Sequence, residues 1–177
     1  KPDTRFDMLL TNITDLAKET SFGVFTSTIE NGGIVKAINV KNEASNFSRK
    51  KIDKLTDFVK KFRARGLAFL KYVDGNLAGA ITKFFTEEQQ AQLISLLNVE
   101  ENDLLLFVSD KQEVVHQSLG QLRNKLAKDL NLYSEDDYDF TWVIDWPMFE
   151  YREEQERYYS LHHPFTRVQN QDLHLLD

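Results

Sequence analysis

Apolar residues recur along this chain in two rhythms, and each rhythm predicts a different kind of element. In NFSRKKIDKLTDFVKKFRARG, Ile52, Leu55, Phe58, Val59 and Phe62 fall on one face at helical spacing, which predicts a helix over 49–65 with Phe58 and Phe62 in the core. Ser48 stands where an N-cap belongs and Gly66 where a C′ residue belongs. A second helix is predicted after Thr86, which has Gln89 at capping-box distance. A third carries Val115, Leu119, Leu122, Leu126 and Leu130 in register. Near the start, RFDMLL reads as a strand, and Thr14 then caps a short helix.

The remaining apolar runs are short and β-rich. FGVFTSTIE and GGIVKAINV flank Asn31-Gly32, the strongest short hairpin signal. Ile34, Ala37 and Ile38 break strict alternation, a pattern that a bulge would accommodate. A second hairpin is predicted around Asp74-Gly75-Asn76, with strands 68–73 and 77–84. DLLLFVSD reads as a buried strand, and FTWVIDWPMF and ERYYSLHH as two late strands paired across EYREEQ. Hairpin-linked strands imply a mainly antiparallel sheet. With the helices over 49–65 and 87–97 on the same face of it, the expected fold class is α+β, a two-layer sandwich, followed by a C-terminal strand pair.

Composition narrows the picture. Hydrophobic residues make up 41% and charged residues 28%, as in ordinary globular chains. There is no cysteine, which excludes disulfides, thiolate catalysis and cysteine-based zinc sites. No apolar run is long enough for a membrane helix and no leader-like segment opens the chain. The expectation is a cytoplasmic protein without membrane contact, cut from something longer at both ends. The formal charge is −6. It argues against a dedicated nucleic-acid binder, although Arg49–Arg65 concentrates eight basic and two acidic residues.

The candidate chemistry is sparse. The basic residues of 49–65 spread over the whole face opposite the apolar stripe, as on a solvated helix. Asp136, Asp137, Asp139, Glu153, Glu154 and Glu156 lack the spacing of a calcium loop. Gly32, Gly33 and Gly75 lie in no phosphate-binding pattern and read as turn glycines. Asp145, inside WVIDWPMFE, either holds a substrate or caps a turn. His162 and His163 precede Pro164 in a loop-like segment. Adjacent side chains of an extended chain point to opposite faces, so the pair is a poor chelate, and residue type alone favours a structural role. No catalytic or metal site follows from the residues.

The ordered series KPDTRFDM, GGIVKAINV, FSRKKIDKLTDF, ARGLAFLKYVDGNLAGAITKFF, NDLLLFVSD, LGQLRNKLAKDL, FTWVIDWPMFEYREE and HHPFT nevertheless resembles the bacterial aspartyl-tRNA synthetase family over nearly the whole chain. The resemblance implies a lead-in segment over 1–20, a GAD insertion domain of DCoH-like fold over 21–131, and a return into a class II catalytic domain over 132–177. It implies a homodimeric parent that uses ATP and Mg²⁺ to activate aspartate and load tRNA(Asp). The parent's ATP and metal motifs are absent from this chain, so no cofactor and no catalysis are expected of it alone. The family's aspartate-contacting histidine corresponds to His162, with His163 a weaker candidate. The alternatives are the same module in a tRNA-dependent amidotransferase, or a free-standing interaction module.

Overall fold

The structure is a computed structural model that describes residues 3–142, 144, 149–161 and 170–175. It divides into two compact units, Lys1–Tyr138 and Asp139–Asp177. The first unit holds β1 (Thr11–Asn12), α1 (Thr14–Lys18), α2 (Gly23–Glu30), β2 (Ile34–Val40), α3 (Arg49–Lys60), β3 (Ala68–Val73), β4 (Asn76–Ala78), α4 (Glu87–Leu96), β5 (Leu104–Asp110) and α5 (Gln112–Asp129). Its five strands form one sheet in the order β1-β2-β5-β3-β4, and every neighbouring pair is antiparallel.

The α+β class and the antiparallel sheet agree with the sequence. The two-layer arrangement does not, because helices cover both faces. Ile38, Val40, Leu104, Leu106 and Val108 pack with α3 and α5, whereas Val35, Ala37, Leu70, Leu105 and Phe107 pack with α1, α2 and α4. The predicted helices over 49–65 and 87–97 therefore lie on opposite faces, and the single helical layer expected of a DCoH-like sandwich is replaced by two. Successive residues of a strand point to opposite sides, so a strand covered on both sides needs apolar residues at every position. That is the origin of the unbroken run Leu104–Val108, all of it buried. It also removes the need for a bulge. β2 pairs with β5 without interruption from Ile34↔Asp110 to Val40↔Leu104, and Ala37 and Ile38 simply serve different cores.

The segment expected as the first hairpin strand is helix α2. Phe22, Phe25 and Ile29 also repeat at three and four residues, and that period wins because Phe25 reaches the core beside Phe107, with Phe22 and Ile29 at its margin. Asn31-Gly32-Gly33 then ends a helix instead of turning a hairpin. The Gly32 N–H donates to Ile29 O (2.9 Å) and the Gly33 N–H to Thr28 O (2.9 Å), which is a Schellman ending with Gly32 at φ 78°. The Asp74-Gly75 hairpin forms as expected, with both residues at positive φ, but β4 stops at Ala78 and a short 3-10 turn, Thr82–Phe84, replaces the rest of the predicted strand.

Helix α3 is capped by Ser48, whose side chain accepts from the Lys51 N–H, and α4 by the Thr86–Gln89 capping box. α3 ends at Lys60 instead of Arg65, and Arg63 rather than Gly66 takes the left-handed conformation (φ 70°). Its buried stripe is Ile52, Leu55 and Val59. Phe58 and Phe62, expected in the core, are only half-buried, because they sit at the edge of that stripe and stack on each other (5.3 Å between centroids).

In the second unit β6 (Phe149–Arg152) pairs with β7 (Arg157–Ser160), so the first late strand begins nine residues after Phe140, where it was expected to start. Asp145, Trp146, Pro147, His162 and His163 lie outside the described residues.

Candidate functional site

Three side-chain clusters in the first unit stand out. The first joins the end of β2 to the turn before β5. Asp103 is buried (1% exposed) and accepts from the Asn42 N–H (2.8 Å), the Glu100 N–H (2.8 Å) and the Asn39 side-chain amide (2.8 Å), with the Lys41 ammonium at 3.0 Å. Burial alone would raise this carboxyl, but the two backbone N–H groups, the Asn39 amide and Lys41 outweigh it and hold Asp103 below its ordinary value. Asn102 extends the junction, donating to Asn42 and accepting from the Ser45 N–H. Every donor in this cluster is spent on a loop, so its role is to fix two turns.

The second cluster pins the residues before β1 onto α5. Arg123, 8% exposed, donates from Nε to Met8 O (2.9 Å) and from Nη2 to Phe6 O (2.8 Å) and Asp7 O (3.1 Å). Its guanidinium lies 4.0 Å from the Phe6 ring centroid. Phe6 in turn stacks on Tyr133, and Arg5 caps Tyr133 from 3.9 Å. The four side chains form a cation–π ladder that ties the segment leading into the sheet to the one leaving α5. Met8 sits at φ 74°, a conformation uncommon for a side-chain-bearing residue, and its carbonyl is one of the three that Arg123 gathers.

Beside this ladder a cleft of about 380 Å³ opens between residues 3–10 and the outer face of α5, with Leu9, Leu10, His116, Gln117, Gly120 and Gln121 among its walls. Partial desolvation, and secondarily the Lys36 charge, push the His116 imidazole down from its ordinary value. Arg123 and Asp3 also line the cleft. Asp3 is matched by a two-point ion pair with Arg5 (2.9 and 2.8 Å), which holds its carboxyl below the ordinary value.

Sequence reasoning passed over all three clusters, although two left a signal. Arg123 follows Leu119 by four residues on the buried stripe of α5, a position where a charged residue needs a partner. Gly120 interrupts a helical pattern without ending it. The basic run over 49–65 is the solvated face expected, with Arg49 paired to Asp53 (3.2 Å) and Lys60 to Asp57 (3.8 Å). Asp136 and Asp137 form an exposed turn closed by the Ser134 N–H on Asp137 (2.6 Å). Among the described residues, no three acidic or histidine side chains converge to hold a metal ion, and no helix is long and apolar enough to cross a membrane.

Known proteins match this chain from end to end. An aspartate–tRNA ligase of Listeria monocytogenes is 55% identical over 177 residues, covering 100% of this chain. One from Bacillus licheniformis is 51% identical and an aspartate–tRNA(Asp/Asn) ligase of a Geobacillus species is 52% identical, each over the same 177 residues. The chain spans 30% of the length of these relatives. The family model described as the GAD domain matches residues 25–119, from the middle of α2 to the middle of α5. That match takes in the whole five-stranded sheet except β1, so the chain belongs to the GAD domain family.

Proposed function

We propose that this chain is the insertion region of a bacterial aspartate–tRNA ligase, with a GAD domain over 21–131 flanked by segments of the catalytic domain over 1–20 and 132–177. The observation that carries the reading is the extent of the likeness. It continues past both ends of the GAD match, through all 177 residues of proteins named as ligases. A GAD module in an amidotransferase or on its own would share the sheet but not the stretch from Leu132 to Asp177.

In this reading the parent is a cytoplasmic homodimer that joins aspartate to ATP as aspartyl-adenylate and transfers it to tRNA(Asp). ATP and Mg²⁺ serve an in-line displacement at phosphorus, where a metal and positively charged side chains stabilise the developing charge. On this reading the residues that hold ATP and the metal belong to the rest of the parent, and the chain by itself does not catalyse the reaction. Its direct contribution to substrate is His162, donating to the aspartate carboxylate, with His163 the weaker contributor.

The test is ATP–pyrophosphate exchange. The full-length protein should exchange in a strictly aspartate-dependent way and charge tRNA(Asp), while residues 1–177 alone should do neither. Exchange by the isolated chain, or a full-length protein indifferent to aspartate, refutes the assignment.

A further inference from the structure

The cleft between residues 3–10 and α5 has three properties that the fold does not require. The first is the state of Arg123. A guanidinium carries five N–H donors. Three of those of Arg123 are spent on the carbonyls of Phe6, Asp7 and Met8, and among the described residues Nη1 makes no hydrogen bond. The side chain is nine-tenths buried, locked by stacking and by those carbonyls, and lines the cleft with no carboxylate bonded to it. A rigid, unpaired donor group of this kind is preorganised for an anionic oxygen.

The second is Gly120. It sits in the middle of an 18-residue helix, where glycine costs about 1 kcal/mol relative to alanine. A Cβ there would meet nothing within 4 Å, so internal packing gives no reason for its absence. What the missing side chain does provide is room against the helix backbone in the cleft.

The third is the wall chemistry. Gln117, Gln121 and Asn124 repeat at four and three residues along the cleft side of α5, and their side-chain amides bond to no other described residue. Each amide offers both a donor and an acceptor, as base edges do. Opposite them Leu9, 73% exposed, and Leu10 present an apolar surface. His116 stands on the same helix face, and the one acidic wall residue, Asp3, is paired with Arg5.

We propose that this cleft takes one nucleotide of an RNA, with the phosphate on Arg123 Nη1 and the base between Leu9 and the amide row of α5. A carboxylate-bearing peptide would use the arginine but leave the paired donors and acceptors of three amides idle. The net charge of −6 disfavours a broad electrostatic footprint, and it is compatible with a single built contact of this sort. The volume of about 380 Å³ lies within the roughly 300–1,000 Å³ of ordinary ligand pockets. The inference rests on the proposed function, which names the RNA as tRNA.

The experiment uses the full-length protein and transcribed tRNA(Asp), with binding measured across a salt series. Gly120→Leu fills the cleft floor from a position where a Cβ meets nothing within 4 Å, and the Gln117→Ala/Gln121→Ala double variant removes exposed amides that bond nothing in the fold. Each should weaken tRNA(Asp) binding by about 10-fold or more. Gly120→Leu should also flatten the log–log salt dependence by about one unit, as expected when one phosphate contact is lost. Unchanged affinity in the double variant overturns the proposal. So does a Gly120→Leu protein with a lowered melting temperature and wild-type tRNA binding, which would mean that the cleft seats another part of the same protein. If Gly120→Leu lowers both, the double variant alone decides. Failure of the wild-type protein to exchange pyrophosphate with aspartate sinks the proposed function instead, whatever the cleft variants do.

Discussion

Replacing Asp103 by alanine strips four donors of one acceptor. Two are backbone N–H groups, of Asn42 and Glu100, each 2.8 Å from the carboxylate; the others are the Asn39 amide at 2.8 Å and the Lys41 ammonium at 3.0 Å. Lys41 is partly exposed and also reaches Glu100 (3.2 Å), so water and that carboxylate absorb its loss. The two backbone N–H groups have no such recourse, whereas the Asn39 amide keeps the Leu97 carbonyl at 3.1 Å. An orphaned buried donor costs about 1–3 kcal/mol, so the two backbone groups, with a smaller loss at Asn39, sum to about 3–5 kcal/mol. Against a typical stability of about 5–15 kcal/mol this is a large fraction. In urea, with a slope near 2 kcal/mol/M, the midpoint should fall by about 1.5–2.5 M. Far-UV circular dichroism of the chain against urea measures it, with the exposed Asp53→Ala as the reference. The pH dependence supplies an independent check. The folded carboxyl lies below its ordinary value of 3.8, so its stabilisation is complete above the unfolded pKa and fades as pH falls through the lower folded pKa. The gap between wild type and variant should therefore hold at neutral pH and shrink below about pH 4. A midpoint equal to that of Asp53→Ala, or a gap that widens in acid, would refute the assignment of the loop clamp to this carboxylate.

Leu55→Ala, at the centre of the α3 stripe, should destabilise the chain by about 2–5 kcal/mol, whereas Phe62→Ala at its margin should cost clearly less; equal urea midpoints would mean that the stripe is misplaced. Gly33→Ala should cost about 1–3 kcal/mol or more, because its Cβ would lie 2.8 Å from Asp110 O and 2.9 Å from Thr28 O, both backbone atoms; thermal unfolding of that variant checks it. On the proposed function, His162→Ala in the full-length protein should lower kcat/KM for aspartate by about 10- to 200-fold with a much smaller effect on ATP and a smaller effect from His163→Ala, and equal mild losses for both substrates would return the pair to a scaffolding role.

Much of this protein was legible locally. The caps at Ser48 and Thr86, the Asp74-Gly75 turn and the apolar stripes of α3 and α5 all follow from residues within a few positions of one another. The functional signals divide differently. The family series runs along the chain and was readable in order, whereas the cleft brings together residues more than a hundred positions apart, with Leu9 facing Gln117 across it.

The two Gly turns show where local reading ends. Asn31-Gly32 and Asp74-Gly75 have nearly the same chemistry, yet one closes a helix and the other a hairpin. The choice lies in what precedes Asn31. Phe22, Phe25 and Ile29 fit a strand or a helix, and the helix prevails because that face of β2 and β5 needs cover. The unbroken run Leu104–Val108 already states that both faces of β5 are buried. It does not state that α3 and α5 cover one face and α1, α2 and α4 the other. Periodicity records which side of an element is apolar. Burial is non-directional, so the identity of the neighbour that meets that side is decided only when the whole chain closes on itself.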